Sequence, residues 1–501
     1  MFSLFDTVSG ADGRAGRREF LRVGALGLGG LSLGGLTLPG LLAAKAQANS
    51  PNSPNSSPSS SAGRGFVRDK SVVLLVLQGG PPCMETFDPK PDAPDNVRSA
   101  TGEIRTALPG VLFGGTFPKL AKLANRLSVV RSFGAGKGGL SHEAGYTALL
   151  TAGRPENAPL GAVYARAAGA LNTATGVPNN TILLPEAIDP TLKLGNPSGA
   201  FTLKQTLTYF AHAGAMGAGC EAFNPAGGGT LLENLALRLP RERFDDRRAL
   251  LQRLDGLRRR FDAGGELEGL SAFQQQAADV LLRGIGQAFD LSREDPRTVE
   301  RYDTSHLINL RDIHKGGKLY RPNFSRTTNL LGKQMLLARR LCEAGCGFVT
   351  VVDSCWDFHD DGNNPPAAIG MPVLGPQLDH AVAAFLEDVE ARGLSDKILL
   401  VVTAEMGRTP KKSGGKSAGG TGHWGELTPL VLAGGGLKTG QVIGRSDAKG
   451  AFPATERYGP ENLTATVLQT VFDVNEVRVA DGLPKGVVSA VADAKPIAEL
   501  F

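Results

Sequence analysis

The stretch Phe348-Val349-Thr350-Val351-Val352-Asp353-Ser354-Cys355-Trp356-Asp357-Phe358-His359 decides how this chain is read. Its first five residues form an unbroken apolar and β-branched run, the pattern of a strand covered on both faces of a parallel sheet. Its end sets a carboxylate and an imidazole two residues apart, on one side of an extended segment. A second run, Ile398-Leu399-Leu400-Val401-Val402, leads into Glu405-Met406-Gly407-Arg408-Thr409-Pro410. A third block, Gly422-His423-Trp424, precedes Pro429-Leu430-Val431-Leu432-Ala433. In an open α/β sheet, ligands bind outside the carboxyl ends of the strands. Asp357, His359, Glu405 and His423 are therefore expected to share one cleft as ligands of a divalent ion: Zn, Ca, Mg or Mn. Only seven histidines occur in 501 residues, so two of them beside carboxylates at strand ends is a specific signal. Each residue also has a structural reading: Asp357 as a turn cap, Arg408 as a partner of Glu405, His423 as part of the Gly-rich loop Ser413–Gly422. Arg408 with Thr409 equally suits a phosphate- or sulfate-like anion.

Around these blocks the chain alternates strand and helix. Strands are expected at Ser71–Leu77, Leu127–Arg131, Thr181–Leu184, Lys397–Thr403 and Leu427–Ala433. Helices are expected at Ser141–Leu150, with Ser141 as N-cap, and at Pro376–Arg392 and Pro460–Phe472. Residues from about 231 to 344 read as helix-rich, with a polar connection at Glu294–Tyr320. This order predicts an α/β fold: a mostly parallel central sheet, helices on both faces and a helical insertion. Gly434-Gly435-Gly436 lacks the spacing of a dinucleotide-binding turn.

The N-terminal region is of another kind. Arg17-Arg18 precedes an uncharged Gly/Leu-rich stretch, Val23–Ala44, and a small-x-small signal at Ala46-Gln47-Ala48. That order predicts a twin-arginine (Tat) signal peptide over residues 1–48, export by the Tat translocase, and a periplasmic or secreted mature chain without a transmembrane span. The Pro/Ser/Asn tract that follows reads as a disordered linker over residues 49–69, and one domain is expected over residues 70–501. The net charge is +5; the leader holds five cations against three anions, so the remainder carries +3. That balance argues against a nucleic-acid partner. The basic stretch Arg241–Arg260 is interleaved with aspartates and reads as a solvated helix face. Five cysteines without a CxxC pair leave room for one disulfide and argue against a zinc-thiolate site.

The run Leu75-Val76-Leu77-Gln78-Gly79-Gly80-Pro81, followed by Thr86-Phe87-Asp88-Pro89-Lys90-Pro91, resembles the start of the exported bacterial family known as domain of unknown function 1501. Trp356-Asp357-x-His359, Glu405-Met406-Gly407-Arg408-Thr409-Pro410 and His423-Trp424 carry the same resemblance. It implies an alkaline-phosphatase-like or sulfatase-like fold, with one or two metal ions at the strand ends and hydrolysis of phosphate or sulfate esters. The substrate implied is an anionic small molecule or a polysaccharide ester. Where that superfamily ends its first strand in a metal-binding Asp, this chain has Gln78; where it has Asp-His, this chain has Glu405-Met406. Leu149-Leu150-Thr151-Ala152-Gly153-Arg154 resembles a sulfatase run, and counting back from it reaches His142. The resemblance thus implies His142 as general acid or base, Glu405 and Gln78 around a second or weaker ion, and Arg408 holding the anion. Cys83 lacks the pattern of a formylglycine precursor, and Pro82 and Glu85 replace the Ser and Asp expected in the family. Two functions follow: an exported metal-dependent hydrolase, or an inactive exported binding or assembly protein that keeps the fold and a structural ion.

Overall fold

The computed structural model describes residues 65–138, 141–152, 158–192, 203–225, 243, 286–492 and 495–501. The leader, most of the linker, the basic stretch Arg241–Arg260 apart from residue 243, and the first half of the expected insertion lie outside the described residues.

Seven strands build the central sheet: β1 (Ser71–Leu77), β4 (Ser128–Val130), β5 (Asn180–Leu183), β6 (Phe348–Asp353), β7 (Ile398–Thr403), β10 (Leu430–Gly434) and β11 (Gln441–Ile443). Their order is β11-β4-β10-β7-β1-β6-β5. Two small ribbons lie apart: β2 (Glu103–Arg105) with β3 (Leu112–Gly114), and β8 (Gly407–Arg408) with β9 (His423–Trp424). Strand β1 is parallel to β6 on one side and to β7 on the other, and β10 alone runs against its neighbours. The expected mostly parallel α/β sheet is therefore the observed one.

The alternation along β1 explains why both faces are covered. Val73, Leu75 and Leu77 point into one apolar layer, shared with helices α4 (Leu331–Glu343) and α5 (Ala367–Ala391). Val72, Leu74 and Val76 point into the other, shared with α1 (His142–Thr151), α2 (Leu160–Ala168), α6 (Pro460–Val471) and α7 (Lys485–Ala492). A strand buried on both faces has no polar side to alternate with, which is why it reads as a continuous apolar run. Helix α3 (Leu203–Phe210) lies along α1.

Several boundaries differ from the sequence reading. Helix α5 begins at Ala367, nine residues before Pro376, and carries Pro372 and Pro376 inside it. Proline removes a helical hydrogen bond, yet Met371, Leu374 and Leu378 are buried in the core layer and hold the helix through that loss. Helix α4 covers the sheet and so belongs to the core layer rather than to an appendage. It ends at Glu343, so Cys342 and Cys346 do not share a helix face, and all five thiols are free. The polar connection carries two short helices, Pro296–Arg301 and Leu310–Ile313. It is tied to the core by Arg339, whose guanidinium pairs with Glu294 (2.7 Å), Asp388 (2.8 Å) and Glu343. Ordered contacts begin before Lys70: Phe66 is buried, and Arg68 donates its backbone N–H to Val471. No helix among the described residues is long and apolar enough to cross a membrane.

The registers Leu77↔Asp353 and Val76↔Thr403 bring the carboxyl ends of β1, β6 and β7 level. Gly79 follows β1 with φ +122°, and a Cβ there would lie 2.7 Å from the backbone nitrogen of Asp357. Gly79→Ala should therefore cost about 2–4 kcal/mol in chemical denaturation, from strain and overpacking together. Gly102, with φ +76° and no atom within 4 Å of an added Cβ, supplies the control. Gly102→Ala should cost about 1 kcal/mol. Equal costs would contradict the close approach at Gly79.

Candidate metal centre

Three strand ends supply the site. After β6 the chain turns through Cys355 (φ +79°) and leaves the motif through Asp360 (φ +55°), two left-handed residues that hold Trp356–His359 across the ends of β1 and β7. Such conformations cost of order 1–3 kcal/mol each and persist only where surrounding contacts enforce them. Those contacts are present. Trp356 is fully buried and donates its indole N–H to Asp353 (2.8 Å) and its backbone N–H to the carbonyl of Gln78 (3.0 Å). Asp360 accepts from the backbone N–H and the hydroxyl of Ser417, both at 2.6 Å, which pins the Gly-rich loop. In the β8–β9 ribbon Arg408 pairs with His423, so a two-residue ladder carries His423 from that loop to the strand ends.

His142, Asp357, His359 and His423 converge there, each offering a ligand atom within 4.8 Å of the others. The Nε2 atoms of His359 and His423 are 2.9 Å apart. Asp357 faces His359 with Oδ1 at 3.1 Å and His142 Nε2 with Oδ2 at 3.8 Å. The ring centroids of His142 and His423 are 4.4 Å apart. Burial, then the charge of Arg408, lowers the pKa of His359; the same causes, with His142 and His359, bring His423 down to about 4. Burial raises the Asp357 carboxyl, but Arg408, His359 and His142 outweigh it and hold it below its ordinary value. Neutral imidazoles and an ionised carboxylate are the protonation states that bind a metal. Three imidazoles and one carboxylate, each offering an atom within 4.8 Å of the others, are a donor set that fits a divalent ion. Three nitrogens and one oxygen suit a borderline ion better than Ca or Mg.

Glu405 stands behind this cluster, not in it. It is fully buried, and its Oε1 accepts from His142 Nδ1 (2.8 Å) and from the backbone N–H of Gly79 (2.8 Å). That bond puts the His142 proton on Nδ1 and turns the Nε2 lone pair toward Asp357 and His423. The other oxygen, Oε2, is buried without a hydrogen-bond partner among the described residues. Gln78 is also turned away: its amide donates to Thr206 (3.0 Å) and its carbonyl oxygen accepts from Ser354 (2.6 Å). Both ends of the Gln78 amide are thus held by Thr206 and Ser354, and Gln78 is not among the four converging residues.

Arg408 also faces inward. Its side chain is 0% exposed. Its guanidinium donates to the carbonyls of Gly79, Gly80 (2.9 Å) and Thr421 (3.4 Å), to Asp357, and to His359 Nε2 (3.1 Å). Its donors are met inside the protein, and one of them braces Asp357. His142, expected as an acid or base, joins the ligand cluster. Ser141 caps α1, its hydroxyl accepting from the Ala144 N–H at 3.2 Å. Desolvation chiefly pushes the thiol of the half-buried Cys83 up, so it is not poised as a nucleophile. Sequence reasoning did not find the Gly79–Glu405–His142 connection; the signal available was Gly79-Gly80 directly after a buried strand.

The chain belongs to the family described as Protein of unknown function (DUF1501), whose model matches residues 69–501. No curated protein matches the chain. Among solved structures it is similar to the PsFucS1 sulfatase from Pseudoalteromonas sp., at 12% identity over 86% of this chain and 73% of that one, with a TM-score of 0.34. It is similar to the phosphonate monoester hydrolase SpPMH from Silicibacter pomeroyi, at 14% identity over 86% and 76%, TM-score 0.32. It is also similar to the lipoteichoic acid synthase LtaP from Listeria monocytogenes, at 9% identity over 85% and 79%, TM-score 0.27.

If Glu405 sets the orientation of His142, Glu405→Gln should weaken metal binding about 10- to 100-fold, because outer carboxylates fix both tautomer and ring direction. Competition against a chelating dye measures this. An unchanged affinity would assign Glu405 to packing alone.

Proposed function

We propose that this protein is an exported metal-dependent hydrolase of phosphate or sulfate esters. The observation that carries the reading is the cluster of His142, Asp357, His359 and His423 at the level carboxyl ends of adjacent parallel strands, with Glu405 behind His142. The motif resemblance to an alkaline-phosphatase-like superfamily supports the same chemistry, and the twin-arginine block with its small-residue signal supports export through the Tat translocase to the periplasm or beyond.

In this reading His142, Asp357, His359 and His423 hold one divalent ion, which when bound acts as a Lewis acid toward an anionic ester oxygen. The chain's own residues do the rest. Glu405 keeps the proton of His142 on Nδ1. Arg408 keeps Asp357 ionised and fixed. Trp356 and Phe358, which flank Asp357 in the chain, are both fully buried in the core and anchor its backbone. His359 is the accessible wall, its side chain 29% exposed, so an ester approaches past His359 and His423. Water serves as the nucleophile, since the cluster itself holds no hydroxyl or thiol.

A second reading is favoured by one observation: Arg408, the cation expected to hold the substrate anion, has its donors committed to Gly79, Gly80, Asp357, His359 and Thr421. On that reading the chain is an exported binding or assembly protein with a structural ion and no turnover.

Aryl phosphate and aryl sulfate esters separate the two. The hydrolase reading predicts cleavage of at least one of them, lost with a chelator and regained with added divalent ion. His359→Ala should lower it by at least about 100-fold with the fold retained in circular dichroism. Cleavage that survives chelation would contradict the metal-dependent mechanism, and absence of cleavage by the metal-loaded protein would favour the binding reading.

A further inference from the structure

The carboxyl ends of β5 and β6 frame a second feature beside the cluster. A small solvent-open cleft is lined there by Thr206, Arg326, Thr328, Asp353 and Ser354, with the half-buried Glu186. It shares a wall with the metal centre. Thr206 and Ser354 are the residues that hold the two ends of the Gln78 amide, and the Gln78 carbonyl takes the N–H of Trp356, next to Asp357.

Three arginines are buried among the described residues: Arg326, Arg339 and Arg408. Arg339 pairs with three carboxylates and Arg408 with Asp357. Arg326 differs. It is 6% exposed, its Nε has no hydrogen-bond partner, and its guanidinium forms no ion pair among the described residues. Neither carboxyl lining the cleft answers it: Asp353 accepts instead from Trp356 Nε1 at 2.8 Å, and Glu186 makes no salt bridge to it among the described residues. Burial also pushes the Asp353 carboxyl up to about 7, which reduces its repulsion of an incoming anion near neutral pH. A buried guanidinium without a counter-ion is unfavourable unless a charge completes it. Its planar fork matches an oxyanion, and Thr206, Thr328 and Ser354 line the same cleft.

We infer that Arg326 anchors a second oxyanion group of the substrate, so that the ester cleaved at the metal centre belongs to a molecule bearing at least two anionic groups. This rests on the hydrolase reading for the word substrate, while the anion site itself stands on the cleft and on Arg326. It also restores an anion-binding cation to a centre whose expected one, Arg408, is committed elsewhere.

The test is calorimetric titration of inorganic sulfate into the metal-loaded full chain at constant ionic strength, for the wild type and for Arg326→Gln, Arg326→Lys and His359→Ala. Sulfate should bind the wild type, about 10- to 100-fold more weakly to Arg326→Gln, and with intermediate affinity to Arg326→Lys. His359→Ala should leave this binding within about twofold, because His359 does not line the cleft. Absence of sulfate binding by the wild type, or equal affinity in Arg326→Gln, would overturn the inference. So would loss of binding in His359→Ala with Arg326→Gln unaffected, which would place the anion on the metal. None of those outcomes touches the hydrolase reading, which is decided by chelator-sensitive cleavage. Should Arg326→Gln fail to fold, Arg326→Lys decides: wild-type affinity there overturns the proposal.

Discussion

A single buried oxygen joins the parts of this molecule that would otherwise be independent. Glu405 Oε1 accepts one hydrogen bond from the backbone of Gly79, at the end of β1, and another from His142, in the first turn of α1. Glu405 itself follows β7. A strand end, a second strand end and a helix start are thus held to one atom with no solvent access. The glycines around it follow from that constraint: a Cβ at Gly145 would lie 2.7 Å from the Glu405 carbonyl oxygen, and one at Gly80 2.8 Å from Met406 Cγ. Close packing there leaves no room for side chains, and the polar groups meet at distances near 2.8 Å.

Arg408 performs the matching task on the other side. Its charge sits at 0% side-chain exposure, compensated by Asp357 and by three backbone carbonyls. Breaking a buried pair by removing one partner costs about 3–5 kcal/mol, because the charge left behind is uncompensated. The same pair that makes the site expensive to dismantle also fixes the carboxylate that faces the three imidazoles. Stability and ligand geometry are in this way one interaction, with Glu405 setting the histidine and Arg408 setting the aspartate.

Much of this was legible from residue pattern. The strands β1, β6 and β7 stand out because a sheet buried on both faces demands unbroken apolar runs, and Asp357, His359 and His423 stand out because titratable groups are rare at such ends. The family was legible from the motifs that lie on those same turns. What spacing cannot convey is direction. Glu405 and Gln78 both follow buried strands, yet one side chain backs a histidine and the other packs between Thr206 and Ser354; the choice is made by residues far away in sequence. Arg408 read as an anion holder because an exposed and a buried arginine look alike in sequence. Residue pattern starts helix α5 only at Pro376, whereas the burial of Met371, Leu374 and Leu378 carries it back to Ala367 through both prolines. Arg326 gave no signal at all, since an unpaired charge becomes visible only when its surroundings are.

The central claim is that His142, Asp357, His359 and His423 hold one ion. Elemental analysis of the protein purified from its own compartment, beside an Asp357→Asn variant prepared in the same way, tests it most directly. The account predicts about one equivalent of a divalent transition metal or zinc per wild-type chain and a small fraction of that in the variant. Wild-type protein without bound divalent metal, or a variant that retains a full equivalent, would contradict it.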